Sequence, residues 1–249
     1  MAQPWQTIDT CDKENAVLEL RKRGERDFLL LVNGRVLMNS SANRSEVALG
    51  EQACRMVSGR TRPRVLIGGL GMGFTLRAAL DCLPAHARVV VAELEPAVVT
   101  WCRGPLAGLT EDAVSDPRVA IETDDVSAVI IGASRKGAER FDAIIIDLYV
   151  GPSADSDEHY DPFYGSLAIQ TTAHALTPGG VFAIWGENPD AAFEKRLTAA
   201  GFNVERQRPG RGGLRHVVYV ATKRPMKDWL WQDQHLNLPE AGQWLPEEK

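Results

Sequence analysis

The pattern of hydrophobic and polar residues changes near residue 60. Over residues 16–38, short apolar stretches are separated by polar residues, and the pair Asn33-Gly34 lies between two of them. An Asn-Gly pair in this position is typical of a β-hairpin turn. Residues 45–57 instead repeat their apolar positions with the period of a helix. We therefore predict an annex over residues 1–60, made of a β-hairpin and a linking helix.

After residue 60, fully apolar segments alternate with amphipathic segments of helical period. Strands that are apolar on both faces, with helices between them, are typical of parallel sheets covered on both sides. We expect a helix from residue 164 to end at the Thr-Pro-Gly-Gly segment 177–180. The fold class is therefore α/β: a Rossmann-like, doubly wound, mostly parallel sheet over residues 61–224, closed by a C-terminal β-hairpin. Residues 225–249 form a tail whose aromatic residues are expected to pack: Trp229, Trp231 and Trp244.

Composition and charge narrow the classes of function. The chain has 249 residues, 44% hydrophobic and 24% charged, which is ordinary for a soluble globular protein. A net charge of −5 argues against nucleic acid as a partner, because nucleic-acid binders are usually basic. The sequence contains neither a leader pattern nor an apolar segment of membrane length, so we expect a cytoplasmic protein without a membrane partner. Four cysteines lack zinc-site spacing and are expected to be free thiols, with no metal bound: Cys11, Cys54, Cys82 and Cys102.

The segment RVLIGGLGMGFTLRAAL, residues 64–80, joins an apolar strand to a helix through a glycine-rich turn. Gly69, Gly71 and Gly73 would leave bare backbone and helix-end N–H groups beside a ligand, although a tight turn alone would also explain them. The dinucleotide pattern GxGxxG fails because Phe74 stands where its last glycine belongs. Since Phe74 would crowd a pyrophosphate, the turn favours a nucleoside without phosphates and disfavours a nicotinamide-dependent oxidoreductase.

Carboxylates follow the next strands, where ligands of open α/β sheets bind. Glu93 is placed to accept hydrogen bonds from ribose hydroxyls, with Glu95 as the alternative. Asp124 is a candidate acceptor for an adenine amino group, unless Asp124 or Asp125 only caps the following helix. Asp147 follows four apolar residues. Because a charge in that position is costly unless paired or functional, we expect a functional role for Asp147.

Several segments together resemble the spermidine/spermine synthase family, a branch of the class I S-adenosylmethionine-dependent transferase fold. The resemblance covers roughly residues 16–222 and includes the annex. It implies that the three loop glycines line the methionine and ribose portion of the donor, that Glu93 holds the ribose and that Asp124 holds the adenine. It also implies that Asp147 helps to deprotonate the attacking amine. The segments are VLIGGLGMGFTLRAAL, VVVAELEP, DPRVAIETDD, RFDAIIIDLYVGP and FYGSLAIQTTAHALTPGGVFAIW.

The chain also departs from the family pattern. The family's glycine loop usually reads GGGDGG, and Gly71 replaces its aspartate, which holds the amine end of decarboxylated S-adenosylmethionine. Val150 replaces the second acid of the D-x-x-D segment. In the annex, Met38 and, approximately, Leu49-Gly50 align with the family's glutamine and Tyr-His pair. A polycation loses the water around its ammonium groups when it binds, so its site needs acidic residues in their place. Most of the family's acids are missing here.

These departures lead us to expect methyl transfer from S-adenosylmethionine to a small acceptor less cationic than a polyamine. Asp147 would be the base and Tyr149 a positioning group, and loop N–H groups would favour the donor's carboxylate. One alternative is a genuine polyamine aminopropyltransferase using decarboxylated S-adenosylmethionine, with Glu46 or Glu51 supplying the missing acid. Another is a non-catalytic nucleoside-binding protein. We leave a homodimer open.

Overall fold

The computed structural model describes residues 3–13, 16–153, 159–209 and 216–225. The predicted tail with its three tryptophans lies outside these residues. No helix in the described ranges is long and apolar enough to cross a membrane.

The annex is a four-stranded antiparallel sheet in the order β1-β2-β3-β4, followed by a helix. The predicted turn is confirmed: Asn33 and Gly34 both have positive φ, 49° and 74°, as a type I′ hairpin turn requires. The prediction of a single hairpin gave the annex too few strands. Strand β1 also pairs with β2, although its sequence, QTIDTCDK, is largely polar. The annex elements are β1 (Gln6–Lys13), β2 (Ala16–Arg23), β3 (Asp27–Val32), β4 (Arg35–Asn39) and α1 (Arg44–Val57).

The second sheet has seven strands in the order β10-β11-β9-β8-β5-β6-β7. The strands from β9 to β7 in this order are parallel, and β10 and β11 are antiparallel, which confirms the predicted α/β class with its closing hairpin. The strands are β5 (Arg64–Gly68), β6 (Arg88–Ala92), β7 (Val119–Glu122), β8 (Phe141–Ile146), β9 (Leu176–Gly186), β10 (Phe202–Gln207) and β11 (Val217–Lys223). The helices are α2 (Phe74–Cys82), α3 (Pro96–Arg103), α4 (Val126–Ser134), α5 (Ser166–Ala175) and α6 (Ala191–Ala199).

One boundary differs from the expectation. Helix α5 ends at Ala175, and the Thr-Pro-Gly-Gly segment belongs to strand β9 instead of forming a turn. Leu176 already pairs with Phe141 of β8, and the register then shifts. Gly179 adopts φ +67°, and the segment forms an irregular, bulge-like part of β9 next to β8.

Alternate residues of the central strands enter two cores, one on each face of the sheet. Val65 and Ile67 of β5 pack on the side of α1 and the annex, where Leu20 and Leu49 are also fully buried. Leu66 packs on the opposite side, which contains residues of α4, α5 and α6. The annex therefore shares a core with the main sheet and forms one wall of the space above the strand ends. The boundary that we place at residue 60 stays a prediction.

Candidate functional site

An open crevice of about 1430 Å³ lies at the carboxyl ends of the parallel strands, between the main sheet and the annex. This is the position where open α/β sheets bind ligands. Of the seven residues that the sequence indicates as functional, six line it: Gly69, Gly71, Glu93, Asp124, Asp147 and Tyr149.

The glycine loop is held in conformations that favour glycine. Gly69 and Gly71 have φ of 89° and 52°. A Cβ atom at Gly71 would lie 2.6 Å from the Sδ atom of Met38, so the annex covers the loop closely at this point. Gly73 does not line the crevice as expected. It precedes α2 with φ 84°, where it turns the chain into the helix, and a Cβ atom at this position would face Thr110.

The backbone N–H groups of this loop are largely used within the protein. Gly69 N donates to Ala92 O at 2.9 Å, Leu70 N donates to Glu93 Oε2 at 2.7 Å, and Gly73 N donates to Leu70 O at 2.8 Å. Groups that are already bonded gain little from a new acceptor. These three N–H groups therefore give little support to the expectation that the loop selects a donor with a carboxylate, which stays a prediction.

Glu93 follows strand β6 and is 8% exposed. Its Oε2 accepts from Leu70 N at 2.7 Å, and its Oε1 accepts from Glu95 N at 2.9 Å. Each oxygen keeps a further lone pair for a ligand hydroxyl. The two backbone bonds fix the carboxylate at the crevice wall, so Glu93 is well placed for the predicted ribose contact.

The two acids after β7, Asp124 and Asp125, make different contacts. Asp125 caps α4, because its Oδ1 accepts from Ser127 N at 2.7 Å. Asp124 accepts from Asp125 N at 2.7 Å and is exposed at the crevice edge. The capping alternative thus holds for Asp125, while an adenine contact by Asp124 stays a prediction.

Asp147 follows strand β8 and faces Thr75 in the first turn of α2. Thr75 Oγ1 lies 2.5 Å from Asp147 Oδ2. Burial, and to a smaller extent the negative charge of Glu46, raise the pKa of Asp147 to about 7, against the opposite effect of the Thr75 hydrogen bond. A carboxyl group with a pKa near neutrality is suited to accept and release a proton during a reaction.

Helix α1 contributes a further carboxylate to the crevice. Glu46 lines the crevice, and Ser45 Oγ donates to its Oε2 at 2.6 Å. Glu51, the other candidate, pairs with Arg55 at 2.9 Å and does not line the crevice. The structure therefore brings Glu46, and not Glu51, to Asp147.

Sequence reasoning missed the far end of the crevice, which Trp185, Asp190 and His216 line. The rings of Trp185 and His216 meet edge to face, with centroids 4.9 Å apart. Trp185 Nε1 and Asp190 Oδ2 are both buried, and neither has a hydrogen-bond partner among the described residues. The position of Trp185 near the carboxyl end of β9 was the available signal.

Tyr149 and Val150 follow Asp147 on the open side of the crevice. Their exposed fractions are 61% and 62%. Tyr149 is thus accessible to an acceptor, but its expected positioning role stays a prediction.

Comparison with known proteins supports the resemblance. Over 133 residues, 53% of this chain, the sequence is 32% identical to the polyamine aminopropyltransferase of Mycobacterium tuberculosis, and equally to that of Mycobacterium bovis. The matched segment spans 24% of the length of these relatives. No protein-family model matches the chain.

Solved structures extend the comparison to the fold. Spermidine synthase from Thermotoga maritima superposes with a TM-score of 0.68 at 18% identity, over 89% of this chain and 74% of that one. A spermidine synthase in complex with the transition-state analogue AdoDATO gives 0.66 at 18% identity, over 89% and 73%. A probable spermidine synthase from Corynebacterium glutamicum gives 0.61 at 18% identity, over 87% and 80%. The fold of this chain is therefore similar to that of spermidine synthases.

The charge of the crevice walls indicates which ligands the crevice can attract. Within the described part of the chain, eight acidic residues line the crevice and no Lys or Arg does. When the walls of a crevice carry charges of one sign, they concentrate the electric field inside it and attract ligands of the opposite charge. No group of three or more His, Cys, Asp or Glu side chains in the described ranges is arranged to hold a metal ion. The lining acids are Glu46, Glu93, Glu95, Asp124, Asp125, Asp147, Glu187 and Asp190.

Proposed function

We propose that the chain transfers an aminopropyl group from decarboxylated S-adenosylmethionine to an amine. The observation that carries this proposal is the acidic crevice, which contains no described Lys or Arg to pair with a carboxylate. A donor whose methionine portion ends in an ammonium, and an acceptor that is itself cationic, both suit such walls. The similarity to polyamine aminopropyltransferases supports the same reaction.

In the proposed reaction, the reacting ammonium of the acceptor first gives a proton to Asp147, whose pKa of about 7 allows it to accept the proton near neutral pH. The neutral amine nitrogen then attacks the propyl carbon bonded to the sulfonium. A new C–N bond forms, the C–S bond breaks, and its electron pair stays on sulfur, which leaves methylthioadenosine. The product leaves as a secondary ammonium, and Asp147 then releases its proton to solvent. The crevice supplies positioning for the in-line attack.

The donor side is proposed to be the wall formed by Gly69, Gly71, Glu93 and Asp124. Glu93 would accept from the ribose hydroxyls and Asp124 from the adenine amino group. Asp147 follows β8, which lies between the strands of this wall and β9, and Trp185 and Asp190 line the far end of the crevice. The acceptor is proposed to enter from that end.

Methyl transfer from S-adenosylmethionine, our expectation from the sequence, is the second candidate. One observation still favours it: residues 68–74, GGLGMGF, contain no carboxylate that could bind the donor's ammonium. Two observations disfavour it. The loop N–H groups expected to bind the donor's carboxylate are largely bonded within the protein, and Glu46 restores an acid for a cationic acceptor.

The test is to incubate the protein with putrescine and each donor in turn, and to follow the sulfur-containing product by mass. Methylthioadenosine from the decarboxylated donor is expected. S-adenosylhomocysteine from the intact donor would establish methyl transfer instead. Stabilisation by methylthioadenosine in a thermal melt, without either product, would identify a non-catalytic nucleoside-binding protein.

A further inference from the structure

Helix α1 carries an acid to the centre of the crevice, beside the group proposed as the base. We propose that Glu46 holds the reacting amine of the acceptor next to Asp147, and that Ser45 and His216 position Glu46. This inference rests on the proposed function, since it assumes an amine as the acceptor.

The first argument is the location of Glu46 relative to the reaction centre. The backbone carbonyl oxygen of Glu46 lies 3.2 Å from Thr75 Oγ1, and the same hydroxyl lies 2.5 Å from Asp147 Oδ2. One threonine thus joins the first turn of α1 to the proposed base. The Glu46 charge also raises the pKa of Asp147, which agrees with two carboxylates facing the same part of the crevice.

The second argument is that the Glu46 side chain is held in place. Ser45 is 5% exposed, and its Oγ lies 2.6 Å from Glu46 Oε2 and 3.1 Å from His216 Nδ1. The hydroxyl proton serves Glu46, so its oxygen is available to accept from a protonated Nδ1. His216 is braced in turn by the ring of Trp185. A carboxylate fixed in this way loses little freedom when it binds an ammonium.

The third argument is that a bound ammonium needs a second anionic group near Asp147. An ammonium that leaves water needs acceptors and negative charge close to it. Val150 occupies the position where the family resemblance implies a second acid, and it is 62% exposed to solvent. Glu46 supplies a carboxylate from a different element of the fold. Glu46 and Asp147 together give the amine two anionic contacts.

The decisive variant is Glu46→Gln, with Glu51→Gln as a matched control on the exposed, Arg55-paired side of the same helix. Titration calorimetry measures the affinity for putrescine in the presence of methylthioadenosine. Loss of one charge-assisted contact is expected to weaken putrescine about tenfold to a hundredfold in Glu46→Gln. Glu51→Gln is expected to bind it as the wild type does, and methylthioadenosine affinity is expected to be the same in all three proteins.

The pH profile gives a second readout that a purely structural role would not change. Because the Glu46 charge raises the pKa of Asp147, Glu46→Gln is expected to move the low-pH limb of kcat/KM to lower pH. The positioning residues are tested by Ser45→Ala and His216→Phe. Both are expected to raise KM for putrescine by a smaller factor than Glu46→Gln, while the affinity for methylthioadenosine stays constant.

The possible results distinguish a failure of the inference about Glu46 from a failure of the proposed reaction. Unchanged putrescine affinity in Glu46→Gln overturns the inference even if the wild type turns over. Putrescine binding that depends on Glu46, without turnover from either donor, supports the inference and refutes the proposed reaction. A wild-type protein that does not bind putrescine overturns both.

Discussion

Two carboxylates occupy equivalent positions on either side of β5. Glu93 is the first residue after β6, and Asp147 is the first residue after β8. Glu93 accepts hydrogen bonds from two backbone N–H groups, one on each oxygen. Asp147 is next to a single hydroxyl, from Thr75, and to a second acid, Glu46.

This difference in partners separates the proposed roles of the two acids. Backbone donors in a rigid loop hold the Glu93 carboxylate in one orientation, which suits binding. Burial of Asp147, and to a smaller extent the like charge of Glu46, raise its pKa to about 7, so it can exchange a proton near neutral pH. The same residue class at the same kind of strand end thus acquires binding or acid–base character from its neighbours.

The largest expected effect is that of Asp147→Asn. Removal of the proposed base is expected to lower kcat by about 10²–10⁴-fold, with methylthioadenosine affinity unchanged. The raised pKa means that the folded state retains this proton between about pH 4 and pH 7, so the Asp147 contribution to stability falls as pH rises through that window. We therefore expect the variant to melt at a temperature no lower than the wild type at pH 8. Unchanged kcat would contradict the assignment.

A smaller effect is expected from Glu93→Ala. Loss of the ribose contact is expected to weaken methylthioadenosine binding about tenfold to a hundredfold by calorimetry. The melting temperature is also expected to fall, because Leu70 N and Glu95 N lose their acceptor. Glu95→Ala is the control. Equal losses of affinity in the two variants would show that Glu93 is not the specific ribose contact.

Thr75→Val tests the single hydroxyl at Asp147. The Thr75 hydrogen bond lowers the pKa of Asp147, so its loss is expected to move the low-pH limb of kcat/KM to higher pH. At pH 7 we expect kcat/KM to fall about fivefold, as for one hydrogen bond, and to recover above pH 9. Methylthioadenosine affinity is the internal control. If the pH profile of kcat/KM is unchanged, ionisation of Asp147 does not determine its low-pH limb.

The smallest effect is expected from Tyr149→Phe. Tyr149 lines the crevice but is 61% exposed, so removal of its hydroxyl is expected to change kcat and KM by no more than about twofold. Steady-state kinetics with putrescine measure both constants. A loss of more than tenfold would place the hydroxyl in contact with the reacting groups and give the site a third essential side chain.

The sequence alone determined the elements whose signals are local. The apolar period predicted the parallel strands and helices, and Asn33-Gly34 predicted a turn that the positive φ angles of both residues confirm. The rule that ligands bind at the carboxyl ends of strands placed Glu93 and Asp147 at one crevice. Local periodicity did not predict β1, whose polar sequence forms a strand by pairing with β2.

Tertiary structure decided which acids act together. Ser45 and His216 are 171 residues apart in sequence, and only the packing of α1 beside β11 brings His216 to Ser45, the neighbour of Glu46 in the chain. The pKa of Asp147 likewise depends on burial and on an acid from the annex. Such effects depend on distances between groups that are far apart in sequence, and those distances are fixed only when the cores on the two faces of the sheet close.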